Sequence, residues 1–298
     1  MNTQKSQNKA FTIIELLTVM SIIVILIGML VPALNQVRRY AMGVQQRAQL
    51  KAIGDGLEMF KSDYDEYPES GALDPMGENY CGAMKLAEAM MGRDLLGYHP
   101  RSRFRLDGME GLNGRRLYAP MSQILLTENL RERKDTYIKA DSANAYRLRN
   151  LYTSSGSFAD ANDMYMLFDV FKRNTNRLSL GENKIGMPIL YYKSNTNGLM
   201  HDPNDPLLAA NDLNDSGNNF YNIYDNDELV RMGKSEGGQH ALASDFGDSM
   251  ADFYNMTENK QIRAATRPYR KDTFILISAG WDGEYGTGDD IVNFESAN

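Results

Sequence analysis

Ala10-Phe-Thr-Ile-Ile-Glu15-Leu-Leu-Thr-Val-Met20-Ser-Ile-Ile-Val-Ile-Leu-Ile-Gly-Met-Leu-Val-Pro32-Ala-Leu34 is the stretch that decides the fold. A short polar leader carrying Lys5 and Lys9 ends abruptly in an apolar run whose only early charge is Glu15. From Leu16 to Val37, 22 residues carry no charge. As a helix they span roughly 33 Å, enough for a hydrocarbon core of roughly 30 Å. A secretory signal has its small-residue cleavage site after the apolar run. Here the one plausible small-residue cut follows Ala10 and precedes the run. Cutting there leaves the hydrophobic helix on the mature chain, which then begins at Phe11.

Glu15 needs a reason to sit where it does. An acidic residue near mid-bilayer costs about 2.5–3.5 kcal/mol, so such groups usually face a partner. A chain beginning at Phe11 places a new α-ammonium at about the same depth. Glu15 of one subunit could then neutralise the amine of a neighbour. For an isolated helix, simple hydration of Glu15 at the membrane interface is the alternative.

At these residues the chain resembles the type IV pilin superfamily. Phe11-Thr-Ile-Ile-Glu15-Leu after a short basic leader is similar to the prepilin signal, and Pro32 stands where that family commonly has a helix-kinking proline. The family usually has Gly before the cut, and this chain has Ala10, a small replacement. The resemblance implies cleavage between Ala10 and Phe11 by a prepilin peptidase and N-methylation of Phe11. It also implies assembly through Glu15 and Pro32, with N-terminal helices packed in a filament core. Partners would be further copies of the chain, other pseudopilins and an inner-membrane assembly platform. The chain would cross a bacterial inner membrane once, with its head in the periplasm. Charge alone leaves the topology open, because Lys5 and Lys9 before the span balance Arg38 and Arg39 after it.

Composition sets the outer bounds. Removing Lys5 and Lys9 from 32 Lys+Arg leaves 30 against 39 Asp+Glu, a formal −9. Nucleic acid, which needs a clustered basic surface, is therefore not an expected partner. Divalent cations suit the acidic balance better. Cys81 is the one cysteine, which excludes an intrachain disulfide and reads as a small buried hydrophobe.

Past Pro32 the residues Val37, Tyr40, Val44, Leu50, Ile53, Leu57, Phe60 and Tyr64 recur mostly at helical steps, and Arg, Gln, Lys and Asp fill the other face. The helix should therefore continue, kinked at Pro32, until Tyr67-Pro68. Phe60–Pro68 resembles the helix-to-head junction of the major pseudopilins of type II secretion. The resulting division is a leader over 1–10, a membrane or filament-core half-helix over 11–37 and an amphipathic half over 38–66. A head insertion of unassigned fold follows over 67–187, then a β-rich head over 188–298. Within the insertion, Tyr80–Leu95 has helical density, Met121–Leu130 suits a short helix or strand, and Met164–Phe171 suits a strand. Pro188–Lys193 and Thr273–Ser278 read as strands, with Ile291–Phe294 pairing back on the second. His201–Asn226, dominated by Asn and Asp, reads as a long surface loop. The fold class is α+β: a long N-terminal helix packed on an antiparallel head with a large insertion.

Asp282-Gly-Glu-Tyr-Gly-Thr-Gly-Asp289-Asp290 places four carboxylates in nine residues. Converging carboxylates repel unless a cation intervenes, and Ca²⁺ takes six to eight oxygens. Ile277–Gly283 with Asp289 and Asp290 resembles the calcium loop of the major pseudopilins. That resemblance implies Asp282 and Asp289 as Ca²⁺ ligands and Asp290 as a weaker one, while Glu284 has no counterpart and Trp281 replaces a usually small residue. The same Asp and Gly residues equally suit a solvated turn between strands. Asp212–Gly217 has the front of an EF-hand pattern, but its twelfth position is Ile223 where a bidentate Glu is needed, so it reads as a polar loop. His99, His201 and His240 belong to no metalloprotease, hydrolase or P-loop motif and read as structural or surface residues. The sequence thus points to a non-enzymatic subunit of a type II secretion pseudopilus or related filament. The competing reading is a membrane-tethered enzyme or ligand-binding protein that uses the helix only as an anchor.

Overall fold

A computed structural model describes residues 12–111, 114–118, 123–152, 158, 163–174, 184–208, 212–234, 238–243 and 248–294. One 52-residue helix, α1 (Ile13–Tyr64), opens the described chain and runs without a break in assignment through Pro32. Two compact units divide it, Met1–Met42 and Gly43–Asn298.

In the first unit, the large apolar residues from Ile13 to Leu34 are 48–84% exposed. Among the described residues these side chains are exposed along the whole run, and α1 is long and apolar enough to cross a membrane. Thr18 and Ser21 turn their hydroxyls back to the carbonyls of Glu15 (3.0 Å) and Thr18 (2.8 Å). That satisfies both groups inside the helix rather than from a solvent.

The second unit is built around the other half of α1. Gln46, Gln49, Leu50, Ile53, Gly56, Leu57 and Phe60 are buried at three- and four-residue spacing. The buried stripe differs from the expected one at its start. Val37, Tyr40 and Val44 are exposed, whereas Gln46 and Gln49 are buried. The reason is hydrogen bonding. Gln49 Nε2 donates to the carbonyls of Ala143 and Phe168, both at 2.9 Å. Gln46 Oε1 accepts the Val170 N–H at 2.9 Å. These amides complete backbone groups that would otherwise be buried without partners. Phe60 packs edge-on against Tyr98 and Tyr137, with centroids 5.1 and 5.7 Å away. α1 ends before the Tyr67-Pro68 pair, with Asp65 in the left-handed region at φ +63.

Helix α2 (Gly82–Met91) is buried on every side. It packs on β2 (Tyr165–Leu167) and β5 (Leu190–Lys193). Gly82 is required there, because a Cβ would stand 2.3 Å from the Tyr191 carbonyl. Gly56 of α1 faces the same helix, its added Cβ meeting Met90 Sδ at 3.0 Å. Further along lie α3 (Gln123–Glu132), α4 (Ala140–Ala143) and β1 (Ala145–Arg147), the last pairing antiparallel with β2. β3 (Arg173–Asn174) pairs antiparallel with β4 (Lys184–Ile185). After β5 come α5 (Asp227–Arg231) and α6 (Ser249–Thr257).

The main sheet has the order β5-β6-β7, with β6 (Phe274–Ser278) central and β7 (Ile291–Val292) at the edge. Both pairings are antiparallel, Leu190 opposite Ile277 and Ser278 opposite Ile291. All five residues of β6 are buried, as its unbroken Phe-Ile-Leu-Ile run requires. The architecture is a long N-terminal helix followed by small antiparallel sheets, an α+β layout consistent with a pilin-like fold.

The segment His201–Asn226 corrects one expectation. His201, Asp205, Asn219, Asn222, Asp225 and Asn226 are buried, and Ile223–Asn226 forms a 3-10 turn. Their polar atoms serve as internal partners. Asn226 Oδ1 accepts the Ala83 N–H at 2.8 Å, and its Nδ2 donates to the Tyr191 carbonyl at 2.8 Å. Composition alone cannot distinguish an Asn that meets water from one that meets backbone.

Candidate functional site

The C-terminal acidic loop joins β6 to β7. Gly280 opens it at φ +59, where a Cβ would fall 2.2 Å from the Asp289 carbonyl. Tyr285 is buried, and its hydroxyl donates to the Pro188 carbonyl, tying the loop beside β5. Asp282 and Asp289 meet across the turn. The Asp282 N–H donates to Asp289 Oδ2 at 3.0 Å, and the Thr287 hydroxyl reaches Asp282 Oδ2 at 3.0 Å and Asp289 Oδ1 at 2.6 Å. Burial raises the pKa of the Asp282 carboxyl. Burial also opposes ionisation of Asp289, but hydrogen bonds from Thr287 and the Asp282 amide outweigh it and set that pKa lower.

Asp290 turns elsewhere. Its Oδ2 accepts the Gly286 N–H at 2.7 Å, while Oδ1 is buried with no hydrogen-bond partner among the described residues. Burial pushes this carboxyl well above the usual range. Glu284 forms an ion pair with Lys234. Among the described residues, no group of three His, Cys, Asp or Glu side chains is arranged to hold a metal ion. The structure therefore joins Asp282 and Asp289 through shared hydrogen bonds, while Asp290 binds the Gly286 N–H and feels their charge.

The three histidines are all buried. His99 lies 3.6 Å from Glu132, and His240 Nδ1 accepts the Tyr285 N–H at 3.1 Å. His201 Nε2 sits 3.0 Å from the Tyr254 carbonyl and 3.1 Å from Thr257 Oγ1. Burial lowers the His201 pKa to about 4. These are packing histidines. Cys81 is buried and free, its thiol pushed up to about 11 by burial, which keeps it from acting as a thiolate. Asp212 and Asp215 of the EF-hand-like stretch accept the N–H groups two residues on, of Asn214 (2.8 Å) and Gly217 (2.9 Å). They are turn residues.

At the other end of the chain, Ala10 and Phe11 lie outside the described residues. Glu15 sits in the first turn of α1. Its Oε2 accepts both the N–H (2.9 Å) and the hydroxyl (2.8 Å) of Thr12, and its own N–H points to Thr12 Oγ1 at 3.3 Å. This reciprocal exchange is a capping box, which satisfies backbone donors that the first helical turn leaves free. Pro32, near the C-terminal end of the apolar stretch, removes the N–H that the Gly28 carbonyl would otherwise receive.

Residues 5–31 match the prokaryotic N-terminal methylation motif.

The match contains the Ala10–Phe11 junction and the Thr12–Glu15 cap, and it stops one residue before Pro32. The chain therefore carries a type IV pilin-like signal of the kind that prepilin peptidase processes. One apolar helix directly behind that signal fits a membrane-anchored pilin. No curated protein and no solved structure matches the chain.

Thr12 is the residue of this site that reading the apolar run by itself passes over. The signal for it was present, since Thr-x-x-Glu immediately before an apolar helix is the pattern of a capping box. Gln46 and Gln49 gave no such signal, because their partners lie about a hundred residues away in the chain.

Proposed function

We propose that this chain is a structural subunit of a type II secretion pseudopilus or related type IV pilus-like filament. The observation that carries the reading is the methylation motif at 5–31, set on a helix whose apolar residues are exposed among the described residues. Bare apolar surface on that scale requires a bilayer or neighbouring helices. Cleavage after Ala10 would free the Phe11 amine for methylation. Glu15 would then offer its carboxylate to that amine on an adjacent subunit, and helices leaving the bilayer would bury one another. Pro32 would let the helix adjust its direction within that packing. The head would face the periplasm, and the inner-membrane platform and other pseudopilins would be the assembly partners.

Mass spectrometry of the mature N-terminus tests this reading. The expected product begins at Phe11 and carries one methyl group. A chain that keeps its first ten residues in cells that mature other prepilins would refute it.

We propose further that the β6–β7 loop takes a Ca²⁺ ion. Asp282 and Asp289, already paired across the turn, would supply carboxylate oxygens to Ca²⁺, whose role would be to hold the β6–β7 loop.

A further inference from the structure

A cleft of about 510 Å³ opens in the head, lined in part by Ser70, Lys85, Arg103, Asn214 and Asp225. Two buried groups of opposite charge border it. Lys85 and Asp225 are each 4% exposed. Lys85 Nζ donates to the carbonyls of Gly71 (2.7 Å) and Leu73 (2.8 Å). An ammonium has three protons to give, so one remains. Asp225 Oδ2 accepts the Ser70 hydroxyl, and among the described residues no donor reaches its other oxygen. Lys85 and Asp225 feel one another's charge but form no ion pair among the described residues.

Most other charges on the cleft wall are engaged, and the exposed Asp215 accepts the Gly217 N–H through one oxygen. Lys193 is paired with Glu66 at 3.3 Å and Glu69 at 2.7 Å. Asp74 accepts the N–H groups of Met76, Glu78 and Leu106. Arg103 is the exception. It is exposed on the cleft wall and makes no hydrogen bond or ion pair among the described residues. Lys85 and Arg103 thus keep donors, and Asp225 keeps an acceptor oxygen, that no group among the described residues takes up beside the cleft.

A buried charge without a counter-charge is unfavourable by several kcal/mol. A neutral polyol would bring no charge to Lys85 or Asp225, and a bare metal cation would leave the spare protons of Lys85 and Arg103 without an acceptor. A molecule carrying its own carboxylate and ammonium answers both. We propose that this cleft binds a small zwitterion, an amino acid or short peptide, with its carboxylate on Lys85 and Arg103 and its ammonium on Asp225. Burial pushes Asp225 up to about 7 and Lys85 down from its ordinary value, in keeping with charges that await a partner. The site is independent of the assembly role of α1.

Titration calorimetry of the full chain in detergent tests the proposal, using L-alanyl-L-alanine and the common free amino acids as probes. At least one zwitterion binds saturably, and N-acetylation or C-amidation of that probe each weakens binding by at least about tenfold. Arg103→Ala, a change at an exposed unpaired side chain, keeps the parent unfolding temperature and weakens binding by a similar factor. Asp225→Asn removes the preference for a free ammonium, so that the acetylated probe binds as well as the parent compound. The proposal is overturned if no zwitterion binds below ~10 mM. It is equally overturned if the singly charged analogues match the zwitterion, or if Arg103→Ala leaves its affinity unchanged.

Discussion

Glu15 has two candidate duties, and three variants separate them. The structure shows the first, a reciprocal cap with Thr12 through contacts of 2.8, 2.9 and 3.3 Å. Losing such a cap costs about 0.5–2 kcal/mol of helix stability. The proposed second duty is to neutralise a neighbour's terminal amine inside apolar packing. Leaving that amine unmatched costs about 2.5–3.5 kcal/mol on insertion scales. Thr12→Ala removes the cap and keeps the charge. Glu15→Gln removes the charge and keeps a carbonyl oxygen that can accept from Thr12. Glu15→Ala removes both. Filament yield, measured by shearing and sedimentation from cells expressing each variant, should therefore fall about a hundredfold for Glu15→Gln and Glu15→Ala alike, since ~2.8 kcal/mol corresponds to that factor. Thr12→Ala should stay within about thirtyfold of the parent. Mass spectrometry on the same cells separates loss of processing from loss of assembly. If Glu15→Gln assembles like the parent, or Thr12→Ala fails as badly as Glu15→Ala, charge pairing is wrong and Glu15 serves only to start the helix.

Gln49→Leu strands two buried carbonyls, those of Ala143 and Phe168. At about 1–3 kcal/mol for each unsatisfied group, urea unfolding of the head should register a loss of roughly 2–6 kcal/mol; a loss below ~0.5 kcal/mol would show that neither bond matters. His201 provides a pH test. Its folded pKa is about 4 and its reference value 6.5, so the unfolded chain binds the extra proton between them. Stability is full above pH 6.5 and falls as pH drops toward 4, by about 3 kcal/mol at 1.36 kcal/mol per unit. His201→Gln should flatten that part of the stability curve, and identical slopes would contradict the assignment. Calcium on the order of 1 mM should raise the unfolding temperature of the parent but not of Asp282→Asn or Asp289→Asn; absence of both binding heat and a shift removes the calcium proposal.

The sequence by itself determined what depends on neighbours along the chain. The extent of α1, its apolar run and its stop before Tyr67-Pro68 follow from local period, hydropathy and proline chemistry. The strand at Phe274–Ser278 and its antiparallel return through Ile291–Val292 are equally local, two apolar segments joined by one glycine-rich turn. The methylation motif is linear too. Tertiary structure decided the rest. Gln46 and Gln49 look like the polar face of a helix until partners 124 and 119 residues away in the chain come to meet them. Asn219 and Asn226 look like loop residues until a neighbouring backbone takes their amides. Lys85 and Asp225 carry no shared motif, and only the packing of α2 beside the 3-10 turn sets both beside one cleft. A charge or amide is read correctly from sequence only when its partner is nearby in the chain; when the partner is distant, folding alone decides whether it meets water, backbone or an opposite charge.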